Sequence, residues 1–482
     1  MANIKQQMLS GVFYTAIAKY SGLVISLVVM AILARLLCPD DFGTVAIATV
    51  FINFFSIFTN IGISSAIVQN KELTSLDINK IYMFTVWIGV ILSALFFLST
   101  SFIADYYQDN RLLPICQLLS MNLFFASAGT VPNTLFFKDK DFKFIAWRTF
   151  IIQILVGILA IVAALMGAGL YTLLIQPILS SALIYLISLK KYPQKLLWTW
   201  GIDSLKKIWA YSMYQFLFSV MSYFIRNLDK MLIGKYIGMA PLGYYEKSYR
   251  LMSLPIQNIT YVITPVLHPI LSDYQKEEGK LATINERVVR LLAFIGFPLG
   301  ILLFFCGREL MLFVFGPQWG PSIPAFQILS LSVGLQIVMS SSGSFFQSSN
   351  DTRGLFLCGI FTAFVTCTGF LICILFFRTL EAFAYSMLIS YILSFIQCYW
   401  QLYHYQFHRN ILHLYKQLTS PLFITLLIGG LLYIISLYST NWNILISLCV
   451  KSFLTLLLWG SYIQWRKEYN IINKVKKIFR KR

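Results

Sequence analysis

The sequence predicts an all-α integral membrane protein of about fourteen transmembrane helices, and three observations predict it. Apolar residues fill 58% of the 482 positions and charged residues only 12%, with a mean hydropathy of +0.72. An ordinary soluble domain is about 25% charged, and a chain of this size cannot hide so much apolar surface from water. The apolar residues also gather into runs of about 20 or more, the length that crosses a bilayer. Finally, the basic residues fall between the runs, and they alternate in density.

In chain order the runs are 11–33, 43–68, 79–103, 112–136, 144–166, 169–189, 208–233, 242–271, 288–306, 322–347, 355–377, 380–402, 418–438 and 442–464. The first is too long for a signal-peptide core and has no small-residue cleavage site after it, so it is expected to be a retained helix. The fifth and sixth are joined tightly by Gly167-Ala168-Gly169, and the tenth is rich in serine. With the N-terminus inside, about 27 Lys and Arg fall in inner segments, the last eight of them from Arg466 to Arg482. The outer loops hold five: Arg35, Arg111, Lys235, Arg308 and Arg378. Basic loops stay in the cytoplasm, so both termini are expected there. One missed helix would invert every later loop, so the unbroken alternation supports the count.

Charge and motif content narrow the function. The net charge of +19 follows mostly from topology, and the tail is expected to rest on anionic headgroups. No nucleic-acid recognition motif accompanies it. The eight cysteines lie mostly in apolar runs without a CxxC pair, as small lipid-compatible side chains do. His404 and His408 have i,i+4 spacing, but no carboxylate or cysteine completes a metal set; they read as interfacial polar residues. No metal or cofactor is expected. Every loop is short, and 307–321 carries only Arg308 and Glu309 as charges, which argues against an enzyme with an external catalytic loop.

A weak repeat organises the chain. Ala34–Gly43 aligns without a gap on Gly234–Gly243, each with a basic residue past a helix end (Arg35, Lys235) and a bulky apolar residue before glycine (Phe42-Gly43, Leu242-Gly243). The expected architecture is two six-helix bundles, 1–200 and 201–403, related by a pseudo-two-fold along the membrane normal around a central cavity. Two further helices over 404–464 and a basic tail, 465–482, complete it.

A charge at bilayer depth costs at least about 2.5–3.5 kcal/mol, so it faces a cavity or a partner. The candidates are Lys19 and Arg148 in the inner half, then Arg226, Asp229, Lys230, Glu246, Lys247 and Arg250, with Lys451 in the last helix. Arg226, Asp229 and Lys230 have i, i+3, i+4 spacing and share a face. The seventh and eighth helices are consecutive and antiparallel, so these residues and Lys247 and Arg250 can converge in the outer half. A basic site at each depth suits a carrier of an anion. The competing reading is structural: Arg226 and Asp229 neutralise each other, Lys230 snorkels, and Arg148 and Lys451 only pack. Tyr214 and Tyr249 offer faces for sugar rings, although packing is the commoner role.

At these residues a resemblance emerges. Leu33-Ala-Arg-Leu-Leu-Cys-Pro-Asp-Asp-Phe-Gly43 with Ile61-Gly-Ile-Ser-Ser-Ala-Ile-Val-Gln69, and Asn227-Leu-Asp-Lys-Met-Leu-Ile-Gly234 with Leu242-Gly-Tyr-Tyr-Glu-Lys-Ser-Tyr-Arg250, resemble the Wzx-type oligosaccharide or polysaccharide flippases (WzxC/TuaB-like branch) of the multidrug/oligosaccharidyl-lipid/polysaccharide exporter superfamily. Cys38 stands where the family often has Thr or Ser, and Glu246-Lys247 where small residues are common. The resemblance implies an undecaprenyl-pyrophosphate-linked saccharide as substrate and partner, flipped across a bacterial inner membrane, with Asp229 or Glu246 coupling a proton or sodium ion. Other polysaccharide-assembly proteins are implied as further partners. A pyrophosphate in a low-dielectric cavity wants Arg and Lys, as the residues alone suggest. An ion-coupled multidrug exporter of the same superfamily would need carboxylates for cationic ligands, whereas basic residues prevail. The remaining alternative is a non-transporting scaffold of a polysaccharide assembly complex.

Overall fold

The computed structural model describes residues 2–59, 63–70, 72–196, 220, 223–272, 274, 278–439 and 442–466, and every regular element among them is helical. The protein is an all-α integral membrane protein. Twelve helices among the described residues are long and apolar enough to cross a bilayer. They match the first six and last six expected runs. Most of the seventh run lies outside the described residues, which resume there as a helix over 223–236 (α8). The eighth coincides with a 34-residue helix, Met239–Ser272 (α9), whose first turns carry Glu246, Lys247 and Arg250.

The exposure pattern is that of a lipid-facing protein. Leu98, Phe102, Phe364, Phe376, Leu426 and Phe453 are each more than 60% exposed, while Thr44, Thr85, Ser127, Ser330 and Ser394 are buried. In water this inversion would be ruinous, but in hydrocarbon an interhelical hydroxyl finds its partner and an outward Leu or Phe needs none.

The chain divides into two compact units, 1–243 and 244–482. The boundary expected at 200–201 falls outside the described residues, as does most of the basic tail. In the first unit α1 (Ala2–Leu36) packs on α6 (Phe142–Leu165), and α5 (Leu112–Lys138) is the hub for α2 (Pro39–Thr59), α3 (Ile63–Gln69), α4 (Ser75–Tyr107) and α7 (Thr172–Lys191). Small residues let the backbones close: a Cβ on Gly157 would lie 2.7 Å from Val29, and one on Gly89 3.0 Å from Ser127, whose hydroxyl donates to Thr85 O at 2.7 Å.

Around the repeat the two aligned segments touch. A Cβ on Gly43 would stand 1.8 Å from Met239 O, and one on Gly243 would stand 2.0 Å from Pro39 O. Each glycine faces the carbonyl four residues before its counterpart, in the register chosen by sequence. The helix starts, Pro39 and Met239, keep the same offset. Beside them Arg111 clamps two acidic residues, with Nη1 on Asp40 at 2.5 Å and Nη2 on Asp109 at 2.8 Å. Burial pushes the Asp109 carboxyl up, but the hydrogen bonds from Arg111 outweigh it and hold the group below its ordinary value.

In the second unit α10 (Glu278–Phe305) is the hub. The serine-rich tenth run is no continuous rod: Ile323–Leu331 (α12), Val333–Met339 (α13) and Ser342–Ser348 (α14) follow α11 (Gly307–Phe315) and a 3-10 segment, Pro317–Ser322. Ser332, Ser340 and Ser341 each donate to a carbonyl three residues back, the competition that bends a helix. Tyr399 supplies a donor to Val338 O at 3.0 Å. After α15 (Thr352–Ile372) and α16 (Leu380–Gln401), α17 (Leu412–Tyr438) and α18 (Ile444–Trp465) dock on α10 through Phe294, Ile424, Ile428, Leu432 and Tyr462.

Candidate substrate-binding site

The expected basic residues behave very differently from one another. Arg148, on α6, is buried, with 6% of its surface exposed. Its Nη1 donates to Ser188 Oγ of α7 at 2.7 Å and its Nη2 to Asn133 Oδ1 of α5 at 2.8 Å. Its guanidinium lies 5.0 Å from the centre of the Phe136 ring. Nε is buried without a hydrogen-bond partner, and among the described residues no carboxylate stands within ion-pair distance of Arg148.

A second cation borders the same aromatic plate. Phe136 stacks on Phe144 at 5.0 Å and 3°, and Lys191 Nζ sits 4.1 Å from the Phe144 ring centre. Lys191 is paired with Asp141 at 2.5 Å, and its hydrogen bond holds that carboxyl below the usual range. Tyr192 packs edge-on against Phe136 and donates to Asp139. Of the two cations, one is neutralised by a carboxylate and the other is held only by neutral groups.

Lys19 is half-buried on α1. On α8, Asp229 is buried and Lys230 half-buried, whereas Arg226 is exposed. Lys247 is buried on α9, Glu246 and Tyr249 are half-buried, and Arg250 is exposed. Tyr249 stacks on the buried Tyr245 at 6.3 Å. The α8 set belongs to the first compact unit and Glu246 to Arg250 to the second. Tyr214 lies outside the described residues.

The first unit also contains an apolar recess of about 410 Å³ between α2, α4 and α8, with Phe51, Phe54, Phe55, Phe102, Tyr106 and Tyr223 among its walls. Tyr223 donates its hydroxyl to Val50 O at 2.5 Å, so a backbone carbonyl satisfies this polar end.

A family model described as "Polysaccharide biosynthesis protein" matches residues 32–324. The chain belongs to this family. Among curated relatives, the teichuronic acid biosynthesis protein TuaB of Bacillus subtilis (strain 168) is 24% identical over 348 residues, 71% of this chain and 72% of that one. The lipopolysaccharide biosynthesis protein WzxC of Escherichia coli (strain K12) is 23% identical over 373 residues, 75% of this chain and 74% of that one. Among solved structures, the lipid II flippase MurJ in an inward closed conformation superposes with a TM-score of 0.72 at 12% identity, covering 95% of this chain and 99% of that one. An inward-facing MATE-family multidrug resistance transporter gives 0.57 at 14% identity, covering 80% and 94%. These likenesses establish the fold.

In this polysaccharide biosynthesis protein, one intramembrane charge proves to be a structural pair. Lys451 Nζ meets Glu309 Oε1 at 2.5 Å and donates to Phe305 O at 3.1 Å, while Ser447 donates to the same Glu309 oxygen at 2.6 Å. Glu309 is one of the two charges of the 307–321 segment, and nothing in the sequence links it to a lysine 142 positions on. Asn133 and Ser188, the cradle of Arg148, were equally silent: neither stands out from the other small polar residues of its run.

Proposed function

We propose that the protein is a flippase that translocates an undecaprenyl-pyrophosphate-linked oligosaccharide from the inner to the outer leaflet of the bacterial cytoplasmic membrane by alternating access. The oligosaccharide is a repeat unit of lipopolysaccharide O-antigen, capsule or exopolysaccharide. The observation that carries this reading is Arg148. Burying a charge without a counter-charge is costly, and an evolved membrane protein tolerates it where a ligand supplies the missing partner. A guanidinium with unused N–H donors takes a phosphate oxygen pair in its fork. Lys19 serves the same anion at the inner depth, Arg226 and Lys230 of the first unit serve it at the outer depth, and Lys247 and Arg250 of the second unit are further proposed anion ligands, with Tyr214 and Tyr249 proposed for the sugars. Coupling to a proton or sodium ion falls to Asp229 or Glu246. The polyprenyl tail stays in hydrocarbon, where the aromatic recess of the first unit gives it a wall.

The names and fold of the relatives support the same reading. TuaB is named for teichuronic acid biosynthesis, WzxC for lipopolysaccharide biosynthesis, and MurJ as a lipid II flippase. The test uses proteoliposomes holding a fluorescent undecaprenyl-pyrophosphate oligosaccharide, with flipping read by bleaching with an impermeant reductant. The wild-type protein is expected to exceed empty liposomes. Arg148→Gln is expected to fall at least about ten-fold, worth 1.4 kcal/mol, with Arg148→Lys intermediate. Flipping no faster than in empty liposomes overturns the function, and wild-type flipping by Arg148→Gln overturns the site.

A further inference from the structure

A second polar cavity, far in sequence from these residues, lies in the second unit where α16 gives way to α17. There α16 continues as a π-helical turn, Leu402–Gln406, followed by the connection 407–411. The cavity measures about 470 Å³, and its walls include Trp400, His404, His408, Arg409 and Asn410. Such π turns recur at functional sites because the extra residue re-aims its neighbours.

The groups that meet at this cavity are hydrogen-bonding side chains held in place. Arg409 is tethered rather than free to swing: its Nη2 donates to Gly279 O at 3.2 Å, and its Nη1 reaches Glu286 Oε1 at 3.4 Å. Asn410 Oδ1 already accepts from the Leu412 backbone N–H at 2.9 Å, so the half of its amide that remains is the NH2 donor. His404 stacks flat on Trp400 at 5.4 Å and 7°, which fixes the imidazole plane. His404 and His408 are exposed. The floor is rigid, since the buried Tyr403 donates to Asn285 Oδ1 of α10 at 3.3 Å and Gln406 donates to Asp351 at 2.7 Å. Among the described residues no Asp or Glu lines the cavity itself, while Glu286 pairs with Arg409 from α10 at 3.4 Å.

Two imidazoles, a fixed amide N–H donor and a tethered arginine suit an oxyanion receptor. The volume exceeds that of a bare ion. It lies at the junction of two spanning helices, with the exposed Trp400 in its wall, and amphipathic rings mark the headgroup level. We propose that this cavity is a phosphate-ester site that seats the headgroup of an anionic phospholipid on the protein. It shares no residue with the groups proposed for flipping, and it stands whether or not the transported substrate is a lipid-linked saccharide. The chain's only four histidines are His268, His404, His408 and His413, so the imidazoles serve as reporters.

Full-length protein with 13C-labelled histidine in maltoside micelles is titrated with dihexanoyl phosphatidylglycerol, inorganic phosphate or phosphate-free dihexanoylglycerol. The signals are assigned by His404→Gln and His408→Gln. The signals of His404 and His408 are expected to shift saturably with phosphatidylglycerol while that of His268 stays. A shift with the lipid alone identifies the occupant as a headgroup, whereas a shift with inorganic phosphate as well identifies phosphate itself as the recognised group. Retention of phosphatidylglycerol by native mass spectrometry is expected to drop at least ten-fold in the doubly substituted His404→Gln/His408→Gln protein, with an unchanged elution volume. Equal shifts with dihexanoylglycerol, or no saturable shift with either phosphate compound, overturn the proposal.

Discussion

Adding one methyl group at Gly43 tests the contact between the repeated segments. The Cβ of an alanine there would lie 1.8 Å from Met239 O and 2.6 Å from its carbonyl carbon. A carbon–oxygen contact relaxes only at about 3.3 Å, so the starts of α2 and α9 must part by about 1.5 Å. The obstacle is backbone, so no rotamer change relieves it. Overpacking a tight site typically costs about 1–3 kcal/mol, and a helix crossing fixed by backbone on both sides belongs at the upper end. Gly243→Ala meets Pro39 O at 2.0 Å and is expected to cost the same. The two changes act on one contact, so the double variant should cost clearly less than the sum of the singles, as coupled neighbours do. Thermal unfolding with a thiol-reactive dye reads this directly, because Cys116, Cys306, Cys373 and Cys398 are free and buried. A melting point for Gly43→Ala equal to wild type, or strictly additive single effects, would refute the reasoning.

Other expectations follow from the ion pairs. Lys451→Met leaves Glu309 buried without its counter-charge and should cost about 3–5 kcal/mol, whereas Lys451→Met with Glu309→Gln should recover most of it; denaturation midpoints of the cycle check this. Flipping per folded molecule should be unchanged in that double variant, because the pair is structural. The Arg111 clamp contributes stability above the ordinary carboxylate pKa and loses it as pH falls through the depressed pKa of Asp109. Acidification from pH 5 to 3 should therefore lower the wild-type melting point more than that of Asp109→Asn. The pair is partly exposed, so the difference should be no more than about 1 kcal/mol. Phe136→Leu removes the ring beneath Arg148 and should destabilise by about 0.5–2 kcal/mol beyond the lost packing, measured against Phe136→Met.

Much of this architecture was legible because a bilayer constrains sequence so strongly. Run length and loop charge located the twelve spanning helices with little help from propensity, and Gly43 and Gly243 stand at the same place in two faint copies, although their contact was not legible there. The interruptions at Ser332 and at Ser340-Ser341 were hidden, because serine is compatible with a membrane helix and bends it only through a hydroxyl whose target is local. The site was legible by residue type and not by role. Lys451 and Arg148 look alike in sequence, each a lone cation in an apolar run. The difference lies in Glu309 and in Asn133 with Ser188, tertiary partners that periodicity cannot foresee. Arg226 and Asp229 illustrate the same gap: helical spacing puts them on neighbouring rows, yet one is exposed and the other buried.

The stacked pair Phe136–Phe144 has a consequence of its own. A carboxylate would grip the Arg148 guanidinium harder, but it would also extinguish the charge on which the proposed role rests. An aromatic face attracts a cation through its quadrupole and carries no net charge, so it stores the guanidinium in hydrocarbon with its full positive field intact. An anion that reaches Arg148 therefore has no bound acid to evict. It needs only to outbid Ser188 and Asn133, and on its departure the ring is still in place to receive the cation.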